Sequence, residues 1–260
     1  MTSRAVDMYE IRVPLAVIEK LSDEDRFSYY LLGHIFNELM SLQKIVGFTL
    51  PRHEDNRPAR VRPEHAQAML LFRLASAKIW EASQAIRQNK QLATTLRTLV
   101  LPKMPGGTVR LKALNAAINA APWLSPLRNG MGFHFPTFAD WKPHVVPDET
   151  WVDDSIFLGD QSGNTFYDAA DTVAQAWMFG QYGLPTARDA VDPLISQMIE
   201  LLRDMNTFLE DALGTLIGEV ILEGKGTRRL VGKVLSPQHD QVSIPFWTAM
   251  TSSKKGQSDG

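Results

Sequence analysis

One long apolar stripe constrains the fold of this chain more than any other feature. Val191, Leu194, Met198, Leu201, Met205, Phe208, Ala212 and Leu216 recur every three or four residues, in a nearly seven-residue rhythm that continues to about Leu222. Asp192-Pro193 is a natural start for this helix, although the preceding chain also admits helix. About thirty helical residues make a rod of roughly 45 Å. Its apolar side must be covered, either by other helices of the same chain or by a second copy across a coiled-coil-like seam.

Two further segments carry the same periodicity. Phe27, Leu31, Ile35, Leu39, Leu42 and Val46 mark one face of a helix that Ser22 and Asp25 introduce in a capping-box pattern, with Asp in place of the usual Glu. Met69, Phe72, Ile79 and Ile86 mark another, running from about Pro63, where a proline suits a first helical position. Leu71 and Leu74 widen that second apolar face, so this helix is expected to touch neighbours on two sides. The stretch 109–120 after the turn Pro105-Gly106-Gly107 predicts a short helix, and 171–179 another. Ile156–Leu158 and Thr165–Tyr167, flanking a Gly-rich turn, predict a β-hairpin. After Gly224 the helical rhythm stops. There 231–235 and 241–246 predict short strands or extended arms, and the polar end of the chain predicts a disordered tail.

The fold class is therefore mainly α. We expect an N-terminal helical region over 1–140, then a connector, hairpin and long helix over 141–223 packed on the same bundle. An extended arm and tail over 224–260 complete the chain.

Composition narrows the chemistry. The chain has no cysteine, which excludes disulfides, thiolate metal sites and cysteine nucleophiles. The 27 Lys and Arg residues nearly balance 29 Asp and Glu, a formal net charge of −2. A non-specific coat of nucleic acid or anionic membrane needs an excess of basic charge, so it is not expected here. No apolar run reaches the length of a transmembrane helix and the first residues lack a signal-peptide core, so a cytoplasmic protein without a membrane partner is expected. No Gly-x-Ser-x-Gly, Gly-x-Gly-x-x-Gly or His-Glu-x-x-His pattern occurs, and the turn 159–163 lacks the Lys-Ser/Thr end of a P-loop. No metal or organic cofactor is expected.

The candidate chemistry sits in 125–135, where Arg128 is followed by Asn129 and, six residues after the arginine, by His134 between two phenylalanines. A histidine with a pKa near 6.5 can take a proton from a ribose 2′-hydroxyl. An arginine fork can hold a phosphate as charge gathers on it. On a straight α-helix six residues advance about 9 Å and turn about 600°, which leaves the two side chains about 120° apart. Bringing them together requires either a helix interrupted at Gly130 and Gly132 or a composite site across a dimer. Two structural roles compete with catalysis. His134 can serve as a hydrogen-bonded core residue, and Arg128 can cap the carbonyls of its own helix.

Arg128-Asn129 with His134 resembles the Arg-polar-x(3–5)-His motif of the HEPN superfamily, helical-bundle proteins that include many metal-independent ribonucleases. More loosely, the segments around 31–45, 70–86, 163–171 and 244–247 look like uncharacterised bacterial proteins of that superfamily. The resemblance implies a HEPN-like bundle acting as a homodimeric endoribonuclease in a bacterial stress, toxin or phage-defence setting. Arg128 would hold phosphate, Asn129 would orient, His134 would transfer protons, and the products would be a 2′,3′-cyclic phosphate and a 5′-hydroxyl. RNA and a neutralising protein would be its partners. The rival is a non-catalytic helical module that binds RNA or a protein.

Other polar groups are weaker candidates. His34 and Glu38 are four apart on one helix face, either a partly buried pair or two ligands lacking a third. Lys78 and Glu81 are three apart and predict an ion pair, able to face the Arg128 region if the helices pack antiparallel. His53, Glu54 and Asp55 predict a solvated loop. Two basic runs, Arg52, Arg57, Arg60, Arg62 and Arg228, Arg229, Lys233, are either solvated surface or tracks for a phosphate backbone.

Overall fold

A computed structural model describes residues 3–50, 55–132, 135–145, 155–161, 163–181 and 187–249. The disordered tail expected at the C-terminus, Arg52, His53, Glu54 and most of the connector lie outside the described residues. The protein is mainly α-helical.

In chain order, strand β1 (Ser3–Ile11) leads into a single turn, α1 (Leu15–Ile18), and then the long helices α2 (Asp23–Thr49) and α3 (Pro58–Gln88). Next comes α4 (Lys90–Thr95), which runs into a π turn at Leu96–Val100, followed by α5 (Gly107–Asn119). The short α6 (Leu124–Leu127) runs into a second π turn at Arg128–Gly132, followed by α7 (Phe138–Trp141). Strands β2 (Ile156–Leu158) and β3 (Thr165–Tyr167) form the expected hairpin, Phe157 opposite Phe166. Helices α8 (Asp168–Gln181) and α9 (Ala187–Thr215) follow, the latter ending in a π turn at Leu216–Ile221, then β4 (Arg228–Pro237) and a 3-10 turn at His239–Gln241.

The apolar stripe of α9 is the seam of a bundle within one chain. Met198, Leu201, Leu202, Met205, Phe208, Leu209 and Ala212 are buried against α2, α3 and α5. Each fully buried side chain of this size contributes about 1.5–3 kcal/mol of transfer free energy. Polar contacts at the rim fix the register of α9. Trp123 Nε1 donates to Gln197 Oε1 at 2.8 Å, and the Arg110 guanidinium of α5 meets the Asp211 carboxylate. Phe72 of α3 stacks on Trp123 with centroids 5.5 Å apart, so that α6 is held in the same core.

Half of the capping box expected at the start of α2 forms, the half made by the Ser22 side chain. Ser22 Oγ accepts from the Asp25 backbone N–H at 3.1 Å and donates to Asp25 Oδ2 at 2.7 Å. The buried face differs from the expected one by a fraction of a turn. Leu32, Ile35, Leu39 and Val46 are buried, whereas Phe27 is exposed and Leu31 only half-buried. Ser28, at the head of the buried face, turns to the backbone and to α4, with its Oγ 2.8 Å from the Glu24 carbonyl and 3.0 Å from Thr95 Oγ1.

Helix α3 starts earlier than Pro63. Pro58 takes the early position that suits proline, and Pro63 lies inside the helix. An interior proline removes one N–H and frees the carbonyl four residues back, here Ala59. That carbonyl accepts from Trp247 Nε1 at 2.8 Å, so the C-terminal segment supplies the donor that Pro63 lacks.

Of the two segments expected as short strands or extended arms, 231–235 is part of β4, while 241–246 holds no strand and, past the 3-10 turn that ends at Gln241, is an extended arm. This latter stretch lies along the body as a strap, with Ile244 N–H donating to the Phe48 carbonyl at 2.9 Å and Thr248 N–H to Asn164 Oδ1 at 3.1 Å. Strand β1 has no counterpart among the elements expected from the sequence. It pairs antiparallel with β4, from Ser3 opposite Pro237 to Ile11 opposite Arg228, with a bulge that leaves Val231 extra.

Candidate functional site

Arg128 stands where α6 changes pitch. Leu124 and Leu127 anchor α6 in the core, and the next five residues widen into a π turn. Single π turns within α-helices recur at functional sites. The turn lies against α3 at a distance only glycine permits, since a Cβ on Gly132 would come within 2.7 Å of the Ala77 Cβ. The glycine that weakens a regular helix is thus required by packing. Over Arg128–Gly132, a stretch that holds both glycines, the chain leaves the regular α-helix. His134 lies outside the described residues.

The Arg128 guanidinium is half-exposed and bridges helices instead of capping its own. Nε donates to Glu81 Oε1 on α3, and Nη1 donates to the exposed Asn129 Oδ1 at 3.0 Å. Arginine carries five N–H donors. Among the described residues these two contacts leave Nη donors at the solvent end. Arg128 and Asn129 therefore meet on one surface, and Glu81 offsets part of the arginine charge.

The expected Lys78–Glu81 pair does not form, because each finds a better-placed partner on another element. Glu81 turns to Arg128, and Lys78 Nζ lies 3.0 and 3.1 Å from the two Glu38 oxygens of α2. His34 Nε2 is 3.8 Å from Glu38 Oε1, beyond hydrogen-bond distance, and its ring is largely exposed. Lys78 and Glu81 are nearly one turn apart, so the acid–base pairs follow one another across α2, α3 and the π turn. Beside them Asn37, Glu38, Ser41, Leu42, Leu74 and Lys78 line a groove of about 430 Å³ between α2 and α3.

Sequence reasoning missed a buried polar cluster between α3 and α8. Arg73 and Asp171 are mostly removed from solvent. Burial pushes the Asp171 carboxyl up, opposed by a hydrogen bond from Gln175 and the nearby charges of Arg73 and His65. Burial likewise pushes the Arg73 guanidinium down, opposed by Asp171. Arg73 Nε and the indole N–H of buried Trp177 have no hydrogen-bond partner among the described residues. At the solvent edge of the same interface the Arg62 guanidinium meets the Asp168 carboxylate. The sequence signal was faint: Asp171 and Gln175 are an i, i+4 polar pair in an amphipathic helix that also carries Asp168, Thr172 and Gln181.

Among the described residues the cations of both basic runs have partners within the chain. Arg57 and Arg60 share Asp55, whose carboxyl Arg57 holds well below the usual carboxylate range, and Arg60 also approaches Glu64. In the second run Arg229 meets Glu10 at 2.8 Å, Lys233 meets Asp7 at 3.3 Å, and Arg228 lies 3.7 Å above the Tyr9 ring. Phosphate tracking would have to displace these partners. Among the described residues no group of three His, Asp or Glu side chains is arranged to hold a metal, and no helix is long and apolar enough to cross a membrane.

No family model and no solved structure matches this chain. Over 152 residues it is 29% identical to an acetylornithine aminotransferase of Xanthomonas campestris pv. campestris, a match covering 54% of this chain. The chain spans about 37% of that relative's length.

Proposed function

We propose that this protein is a metal-independent endoribonuclease of HEPN type, with Arg128, Asn129 and His134 as its working residues. The observation that carries the reading is the placement of Arg128. Its guanidinium is half-exposed on a π turn beside exposed Asn129, instead of being spent on the end of its own helix. Arg128 would hold the scissile phosphate by its outer N–H groups and Asn129 would fix the fork. His134 would take the 2′-hydroxyl proton as O2′ attacks phosphorus and the P–O5′ bond breaks, and the leaving 5′ oxygen would take a proton from solvent, giving a 2′,3′-cyclic phosphate and a 5′-hydroxyl. Such an enzyme would act in the cytoplasm as a homodimer, in a toxin or phage-defence setting and held in check by a neutralising protein.

A second reading has its own observation. Glu81 meets Arg128 as a positioned carboxylate and lowers the positive field that a phosphate would meet. This favours a non-catalytic helical module that binds RNA or a protein and keeps the arginine for architecture. The similarity to an aminotransferase spans too little of that protein to bring its activity to this chain.

Incubation of the pure protein with total cellular RNA in excess EDTA separates the readings. Cleavage by the wild type that leaves cyclic-phosphate ends, and is lost in both His134→Ala and Arg128→Ala, supports the nuclease. No cleavage, or equal cleavage by all three proteins, sinks it in favour of the binding module.

A further inference from the structure

The ribbon of β1 and β4 is exposed on both faces. Val6, Met8 and Tyr9 of β1 and Leu230, Val234 and Leu235 of β4 are all exposed apolar side chains. A two-stranded ribbon is marginal in water by itself, and a long apolar edge is a template for another strand.

The two edges differ in charge. Strand β4 carries Arg228, Arg229 and Lys233 with no carboxylate, and ends at Pro237, which has no N–H to donate. A second β4 laid against it would set cations against cations. Strand β1 carries both signs: Arg4, Asp7 and Glu10. Laid antiparallel on a second β1 about a two-fold axis at Asp7, it complements itself. Arg4 falls opposite Glu10 of the second copy, twice by symmetry. Val6 falls opposite Met8, and Ala5 opposite Tyr9. Each pair is an even number of residues apart in the strand, so opposed side chains share a face. At the axis two Asp7 carboxylates meet, each with its own Lys233 at 3.3 Å to offset the repulsion. Glu10 and Asp7 have cationic partners in their own chain, and Arg228 sits on Tyr9. Arg4 is the ribbon cation left without such a contact among the described residues.

We propose that two copies of this chain join along the free edges of β1, forming a four-stranded antiparallel sheet in the order β4-β1-β1-β4. The symmetric operation closes the assembly at two copies and covers both β1 edges, whereas head-to-tail pairing of β1 with the β4 of another copy closes only as a larger ring or runs on as a filament. The interface is independent of the ribonuclease reading.

The full-length protein, Arg4→Glu and Glu10→Arg are compared by sedimentation velocity, each alone and the two variants as an equimolar mixture. The wild type is expected at the mass of two chains at concentrations of about 10–100 μM, in the range of ordinary reversible dimers. Each single variant sets like charges opposite one another at both symmetric contacts and should weaken the dimer about tenfold or more. In the mixture, the carboxylate introduced at position 4 of one chain meets the guanidinium introduced at position 10 of the other. The unchanged Glu10 of the first chain meets the unchanged Arg4 of the second, so the dimer mass should return. A monomeric wild type, a dimer indifferent to both substitutions, or a mixture that stays monomeric overturns the proposal.

Discussion

The indole N–H of Trp247 donates to the backbone carbonyl of Ala59 at 2.8 Å, the acceptor that Pro63 leaves open inside α3. A helix defect and a distant tryptophan are thus one feature. Replacing Trp247 by Phe keeps most of the apolar area but strands the carbonyl, and should cost about 1 kcal/mol. In a Pro63→Ala background the helix can supply its own donor, so the same Trp247→Phe change should cost less. A double-mutant cycle by urea denaturation reads the coupling, and additive effects would show that the contact carries no stability.

Gly132 holds the π turn against α3. An alanine there must displace Ala77 or the turn itself, a crowding expected to cost about 1–3 kcal/mol. Ala77→Gly should recover much of the loss, because it removes the atom that the new methyl meets. Thermal melts of the two single variants and the double variant check this.

The Arg128–Glu81 pair is half-exposed and should contribute only about 0.2–1 kcal/mol to stability. Glu81→Gln is therefore expected to fold normally while freeing the arginine charge. If Arg128 meets phosphate, binding of a short single-stranded RNA should strengthen in Glu81→Gln and fall steeply with salt. Fluorescence anisotropy at two ionic strengths decides it, and unchanged affinity would leave Arg128 as architecture.

Asp171 supplies a pH dependence of unusual sign. Its folded-state pKa lies above the unfolded value, so the folded chain binds that proton more tightly. Its contribution is most favourable at or below the ordinary carboxylate value of about 3.9 and declines as pH rises through the raised folded value. The carboxylates of Glu10, Asp55, Asp140 and Glu223 are shifted the opposite way and lose their contribution as pH falls. The stability difference between wild type and Asp171→Asn isolates the single group. It should move against the wild type as pH rises above the ordinary carboxylate value of about 3.9 in chemical denaturation, and a flat difference would mean Asp171 titrates normally.

The sequence by itself determined the longer helices α2, α3, α5, α8 and α9, and where α2 and α5 begin. The stripe of α9, the Ser22 cap of α2 and the turn before α5, with Gly106 at positive φ, depend on local periodicity and backbone stereochemistry, and they are readable without tertiary contacts. The hairpin of β2 and β3 belongs with them, since its turn joins strands adjacent in the chain. Only the tertiary structure decided the rest. It set which fraction of a turn of α2 is buried, paired β1 with a strand more than two hundred residues later, and gave Lys78 and Glu81 separate partners. It also brought Arg73 and Asp171 together, and let Trp247 answer the defect at Pro63. The physical reason is common to all of these. Long side chains and open edges accept any partner of suitable chemistry, and only the packing of distant elements determines which partner comes within about 3 Å.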